Sequence, residues 1–192
     1  MQITEDEKGI LLLAARESIE SVFGEIKPPQ IDYCLYPNLK PNQGTFVTLT
    51  IDGKLKGCIG YVLTQMPLFE TVCEAARQAA FYDPRFLPIT PDELDAADIE
   101  ISVLSLPIKI NSYTQIILGV HGLLLDEENY RAVLLPQVAT SNNYSLQQFL
   151  SILCEKAGML PDAWCNRNLN LKVFTAEVFS EKKLKSEEHE TG

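Results

Sequence analysis

The stretch Leu55-Lys56-Gly57-Cys58-Ile59-Gly60 carries the residues best suited to chemistry. A cysteine acts as nucleophile or redox group through its thiolate, and a nearby cation favours that form. Lys56 precedes Cys58 by two residues, about 7 Å along an extended strand, which suits either a thiolate or an anionic ligand. Gly57 and Gly60 flank the cysteine, and glycine inside a strand often marks close approach of a backbone or a ligand. The plainer alternative is that Cys58 is a small apolar side chain under a core. His121, in Gly119-Val120-His121-Gly122, is the second catalytic candidate. The other histidine, His189, lies in a charged tail, so His121 is the imidazole available as acid or base near neutral pH. It fits equally well as a turn histidine bonded to backbone. Arg85, in Asp83-Pro84-Arg85-Phe86, either pins a loop by pairing with Asp83 or Glu100, or grips a ligand carboxylate or phosphate. Glu100 stands between Ile99 and Ile101, and alternation points it away from them, as a solvated or paired carboxylate or as an acid or base.

Several classes of function lose support. There is no GxGxxG, Walker or GxSxG motif. The five cysteines, Cys34, Cys58, Cys73, Cys154 and Cys165, form no CxxC and no disulfide framework, and none lies near a histidine. No metal and no cofactor is therefore expected. Lys plus Arg number 16 against 26 Asp plus Glu, a formal net charge of -10. Such a chain repels phosphate backbones, so non-specific nucleic-acid binding is not expected. Two GxxG tetrapeptides, Gly57–Gly60 and Gly119–Gly122, do not sit between helices as an RNA-binding loop of that type requires. The start, MQITEDEKGI, shows no signal pattern, and no apolar run reaches a membrane span. A cytoplasmic protein with reduced thiols and no membrane association is expected.

The elements that must position these residues are legible in outline. Thr4–Glu7, Thr90–Glu93 and Ser145–Gln148 read as capping boxes. Leu11, Ala14, Ala15, Ser18, Ile19 and Val22 recur at helical spacing behind the first, with Gly24 as a stop. Asp52-Gly53 joins two strands, 45–51 and 54–61, in a tight hairpin. A simple two-residue register then puts Val47, Leu49, Ile51, Lys54, Lys56 and Cys58 on one face. A helix begins at Pro67 and must end at Asp83-Pro84. Strand 99–104, a hairpin of 121–125 with 131–135, a helix ending at Gly158 and a strand over 171–179 follow. The mixture lacks a regular βαβ alternation. It predicts an α+β fold, a largely antiparallel sheet flanked by helices, in two lobes. Strands 45–61, 99–105 and 171–179 are expected in one sheet, covered by the first helix. The larger lobe is read as 1–106 plus 168–181, the smaller inserted lobe as 107–167, and 182–192 as a charged, frayed tail.

These residues also resemble a known family. Gly44–Leu49 followed by Leu55–Gly60 resembles the signature of the AMMECR domain family, which includes the A component of the AmmeMemoRadiSam system. Asp83-Pro84-Arg85-Phe86, Ile99–Leu104, His121-Gly122-Leu123, Leu135–Ala139, Lys156-Ala157-Gly158 and Ala176–Phe179 follow in the family's order, so the resemblance spans about residues 5–181. Lys56 stands where the family usually shows arginine, which keeps the charge but not the bidentate fork. Asn143-Tyr144 stands where a tryptophan is common. The resemblance implies two lobes with a cleft and both termini in the larger one. It also implies association with a Memo-like dioxygenase-fold protein and a radical-SAM enzyme, without an established reaction. Two readings follow. One is a component that binds a small-molecule or peptide ligand through Lys56, Gly57, Gly60, Arg85 and Glu100. The other is a cysteine-dependent enzyme using Cys58 with His121.

Overall fold

The structure, a computed structural model, describes residues 3–24 and 26–184. Helix α1 (Glu5–Glu20) opens on the Thr4 capping box: Thr4 Oγ1 accepts from the Glu7 N–H, and Glu7 Oε2 accepts from the Thr4 N–H. Leu11, Ala14, Ala15, Ser18 and Ile19 are buried, whereas Val22 falls in a short 3₁₀ turn and is exposed. Strands β1 (Thr45–Ile51) and β2 (Lys54–Tyr61) form the hairpin, and Asp52 and Gly53 both take positive φ, as a type I′ turn requires. Helix α2 (Leu68–Phe81) and the short α3 (Pro91–Ala96), with its own capping box at Thr90, precede β3 (Ala97–Leu104). After β4 (Ile108–Lys109) come the hairpin β5 (Gly122–Asp126) and β6 (Arg131–Leu134), then α4 (Pro136–Ser141), α5 (Leu146–Lys156) and α6 (Ala163–Asn166). Strands β7 (Leu171–Phe174) and β8 (Ala176–Ser180) close the order.

The chain divides into two compact units. One comprises residues 1–103 and 177–192, the other 104–176. In the first, the sheet runs β2-β1-β3-β8, with β1 antiparallel to both β2 and β3. Val47, Leu49, Ile99 and Ile101 on its inner face are fully buried, sharing one core with α1 and α2. In the second, the sheet runs β4-β7-β5-β6, again antiparallel. Phe149, Leu150 and Leu153 of α5 pack with Leu123, Leu125 and Leu171 into a separate core.

Three expectations are corrected. Residues 171–179 are not one strand of one sheet: 171–174 pair with β5 in the second unit, and 176–180 lie beside β3 in the first. The break is at Thr175, whose N–H donates to Ser105 Oγ and whose C=O accepts from the Ser105 N–H, outside either ladder. Residues 181–184 are helical and Leu184 packs against the first core, so this part of the tail is not frayed. The rest of the tail lies outside the described residues. The third correction is the hairpin register.

Candidate functional site

The turn sets Ile51 opposite Lys54 and Thr50 opposite Leu55, but the register then shifts: Leu49 opposes Gly57, Thr48 opposes Cys58 and Val47 opposes Ile59. Lys56 is the extra residue of a β-bulge on β2. A one-residue slip moves every later side chain to the other face. Cys58 therefore leaves the face of Val47 and Leu49 and joins Thr48. Across β1, Thr48 pairs in turn with Glu100 of β3, so Cys58, Thr48 and Glu100 form one row over three strands, on the face opposite the apolar core. Thr48 Oγ1 donates to Cys58 Sγ at 3.3 Å, and Cys58 is half-buried. Burial pushes the Glu100 carboxyl up, with Asp98 adding to the shift and Lys183 opposing it.

The bulge also reassigns Lys56. Its ammonium donates to Glu93 Oε1 at 2.7 Å, while Glu93 Oε2 accepts the Thr90 N–H at 3.0 Å in the α3 cap. Pairing with Lys56 holds the Glu93 carboxyl below its ordinary range. Gly57 is where the backbone of α2 comes closest: a Cβ there would run into the Ala79 carbonyl. At Gly60 the Phe46 ring and the β1 backbone fill the space a side chain would need.

The outer edge of β2 is closed by the Asp83–Phe86 segment. The Cys58 N–H donates to Asp83 Oδ2 at 2.9 Å, and the Cys58 C=O accepts from Arg85 Nη2 at 3.2 Å. Arg85 grips Asp83 through Nε to Oδ1 (2.9 Å) and Nη2 to Oδ2 (2.6 Å), and its own N–H reaches Oδ1 at 3.1 Å. Together the two side chains satisfy the backbone of Cys58 as a neighbouring strand would, which protects an otherwise open edge. The Asp83 side chain is only 1% exposed. The Arg85 fork holds its carboxyl well below the usual range, with the Cys58 and Arg85 N–H groups assisting against burial. Arg85 itself is 55% exposed and lies over the Phe86 ring, 5.4 Å from its centroid. Its Nη1 has no partner among the described residues.

Cys58, Lys56, Gly57, Gly60, Arg85 and Glu100 thus all belong to the first unit, five of them on β2 and β3 and Arg85 against the β2 edge. His121 belongs to the second unit. Its Nδ1 accepts from the Ile117 N–H at 3.2 Å and its N–H donates to the Ile117 C=O at 2.8 Å, the bonding of a turn histidine. Thr48 is the site residue that sequence reasoning missed. The signal for Thr48 was Gly57, since a glycine inside a strand is a common mark of a bulge. Asp83 is the partner expected of Arg85, and what the sequence did not show is that it also accepts the Cys58 N–H. Among the described residues no three His, Cys, Asp or Glu side chains converge as a metal site, and no helix is long and apolar enough to cross a membrane.

The family model described as AMMECR1 matches residues 12–179, and the chain belongs to the AMMECR1 family. It is 37% identical over 188 residues to protein Mbar_A1807 of Methanosarcina barkeri, covering 94% of this chain and 93% of that one. It is 38% identical over 185 residues to a protein of Methanothermobacter thermautotrophicus, covering 93% and 96%. The crystal structure of the uncharacterized protein PH0010 from Pyrococcus horikoshii shares the fold with a TM-score of 0.87, at 33% identity over 94% of each chain.

Proposed function

We propose that the protein is a ligand- or substrate-binding component, acting in the cytoplasm with a Memo-like dioxygenase-fold protein and a radical-SAM enzyme. Its ligand is a small molecule or short peptide bearing a carboxylate or phosphate. The observation that carries the binding half is the Asp83–Arg85 clamp on Cys58. It fixes an arginine beside the LKGCIG strand while leaving more than half of its side chain exposed. A guanidinium spends two donors on Asp83 and retains an outward edge that suits an oxyanion. The half-buried Cys58, Thr48 and Glu100 row offers a thiol, a hydroxyl and a carboxyl for the rest of the ligand. Gly57 and Gly60 keep the strand close to α2 and Phe46, and Lys56, held by Glu93, turns the bulge. Membership of the family supports the choice of partners.

Amide shift mapping by NMR with succinate and a short Asp-terminated peptide tests the binding half. The expected shifts concentrate at residues 46–50, 56–60, 83–86 and 98–102, and Arg85→Ala weakens binding by about tenfold, the worth of one charge-assisted hydrogen bond. Shifts confined to other residues, or equal affinity in Arg85→Ala, contradict the reading. Cys58→Ser separates binding from thiol chemistry: a binding role survives that change, a covalent one does not.

A further inference from the structure

The second unit contains an open pocket of about 740 Å³, within the size range of small-ligand sites. One wall is the β5–β6 loop, closed by the Glu127 N–H to the Tyr130 C=O (3.0 Å) and the Tyr130 N–H to the Glu127 C=O (3.4 Å). The other is the turn after α5, where Gly158 takes φ +78 and Met159 and Leu160 follow before Ala163 of α6. Three formal charges line it. Two cancel: Arg167 Nη2 donates to Glu127 Oε2 at 2.6 Å, and Glu127 Oε1 accepts the Asn170 N–H at 2.9 Å. The third, Glu128, is exposed and has no ion-pair or hydrogen-bond partner among the described residues. Around it lies uncovered apolar surface: Leu160 is 74% exposed and Tyr130 37%.

We propose that this pocket binds an amphipathic cation, an aliphatic or aromatic group carrying a protonated amine. Glu128 supplies the counter-charge, the Tyr130 ring supplies an electron-rich face for the ammonium, and Met159, Leu160 and Ala163 take the apolar body. An anion is disfavoured because two carboxylates, Glu127 and Glu128, face a single guanidinium, Arg167, in the lining. This site is in a different unit from Cys58 and does not depend on the function proposed above.

The test uses three six-carbon probes, hexylammonium, hexanoate and hexan-1-ol, at one ionic strength. The chain's single tryptophan, Trp164, follows Ala163 and is held by its indole N–H to Ser151 Oγ at 3.0 Å, so its fluorescence reports on the pocket. Hexylammonium should give a saturable change, with amide shifts confined to residues 126–131 and 157–168. Hexanoate and hexan-1-ol should bind at least about fivefold more weakly, the scale of one exposed charge contact. Glu128→Gln should reduce that preference for the amine over the alcohol, and Leu160→Ser should weaken all three probes. Both positions are exposed, and an unchanged amide spectrum of each free variant confirms its fold. Hexanoate binding as tightly as hexylammonium, an amine preference undiminished by Glu128→Gln, or shifts elsewhere in the chain overturns the proposal.

Discussion

At Asp83 a carboxylate is buried almost completely, and a buried charge is tolerated only when it is paired and hydrogen-bonded. Four donors reach it: the Cys58 and Arg85 N–H groups and the Arg85 Nε and Nη2. Asp83→Asn should lower stability by about 2–3 kcal/mol at pH 7, because it leaves Arg85 without its counter-ion and aims an amide at donors. The pH dependence has a definite sign. The folded-state carboxyl titrates below its ordinary value, so its stabilisation is present above about pH 4 and is lost as pH falls toward the folded-state value. Urea midpoints at pH 7 and pH 3 should show a smaller wild-type-to-variant gap at pH 3, and an equal gap would refute this. Glu100 has the opposite sign. Burial raises its folded-state pKa, so its contribution is greatest below the ordinary carboxylate range and falls as pH rises through the raised value. Glu100→Gln should therefore be neutral or stabilising, by up to about 1 kcal/mol at pH 7. A clear loss of stability would show that the charged form makes a favourable contact.

At the scale of elements, the bulge decides what Cys58 does. The residues of the hairpin were legible: Asp52-Gly53 gave the turn and the alternating apolar residues gave the strands. The face of Cys58 was not, because a bulge changes register without changing composition. Its one mark was Gly57, and a glycine in a strand fits a bound ligand or a close helix as well as a bulge. Gly57→Ala tests the same geometry from the other side. The new methyl would meet the Ala79 carbonyl of α2, and backbone cannot swing away as a side chain does. A loss of about 2–3 kcal/mol is expected in urea unfolding, and a neutral result would mean that α2 does not approach β2 there. The break at Thr175 was hidden for a similar reason. Leu171, Val173 and Phe179 keep odd-numbered alternation across the break, so the pattern reads as one strand. One long-range latch had no sequence signal. Arg16 donates to the Leu94 and Ala97 carbonyls and forks onto Glu181, whose Oε2 also accepts the Ile99 N–H. Arg16→Ala should lose about 2 kcal/mol and increase amide exchange in β8, whereas Arg77→Ala, which removes a half-buried pair one turn apart on α2, should change stability by only about 0.5 kcal/mol.

For the whole molecule, composition set limits and short motifs supplied the kinship. The acidic balance argued against phosphate backbones, and the Gly44–Gly60 and Asp83–Phe86 segments carried a resemblance that the family match over residues 12–179 bears out. The same segments meet in the fold: the second clamps the first at Cys58. No periodicity could have shown this, because Cys58 and Asp83 lie 25 positions apart with all of α2 between them. The central claim is that the clamp and the bulge present Cys58 on the polar face of its sheet rather than in the core. Timed alkylation of the native protein, followed by peptide mapping of the five cysteines, tests it most directly. Cys34 and Cys165 should label first and Cys58 next, well ahead of the buried Cys73 and Cys154, with saturating succinate slowing Cys58 alone. Labelling of Cys58 only on unfolding, together with Cys154, would contradict the account.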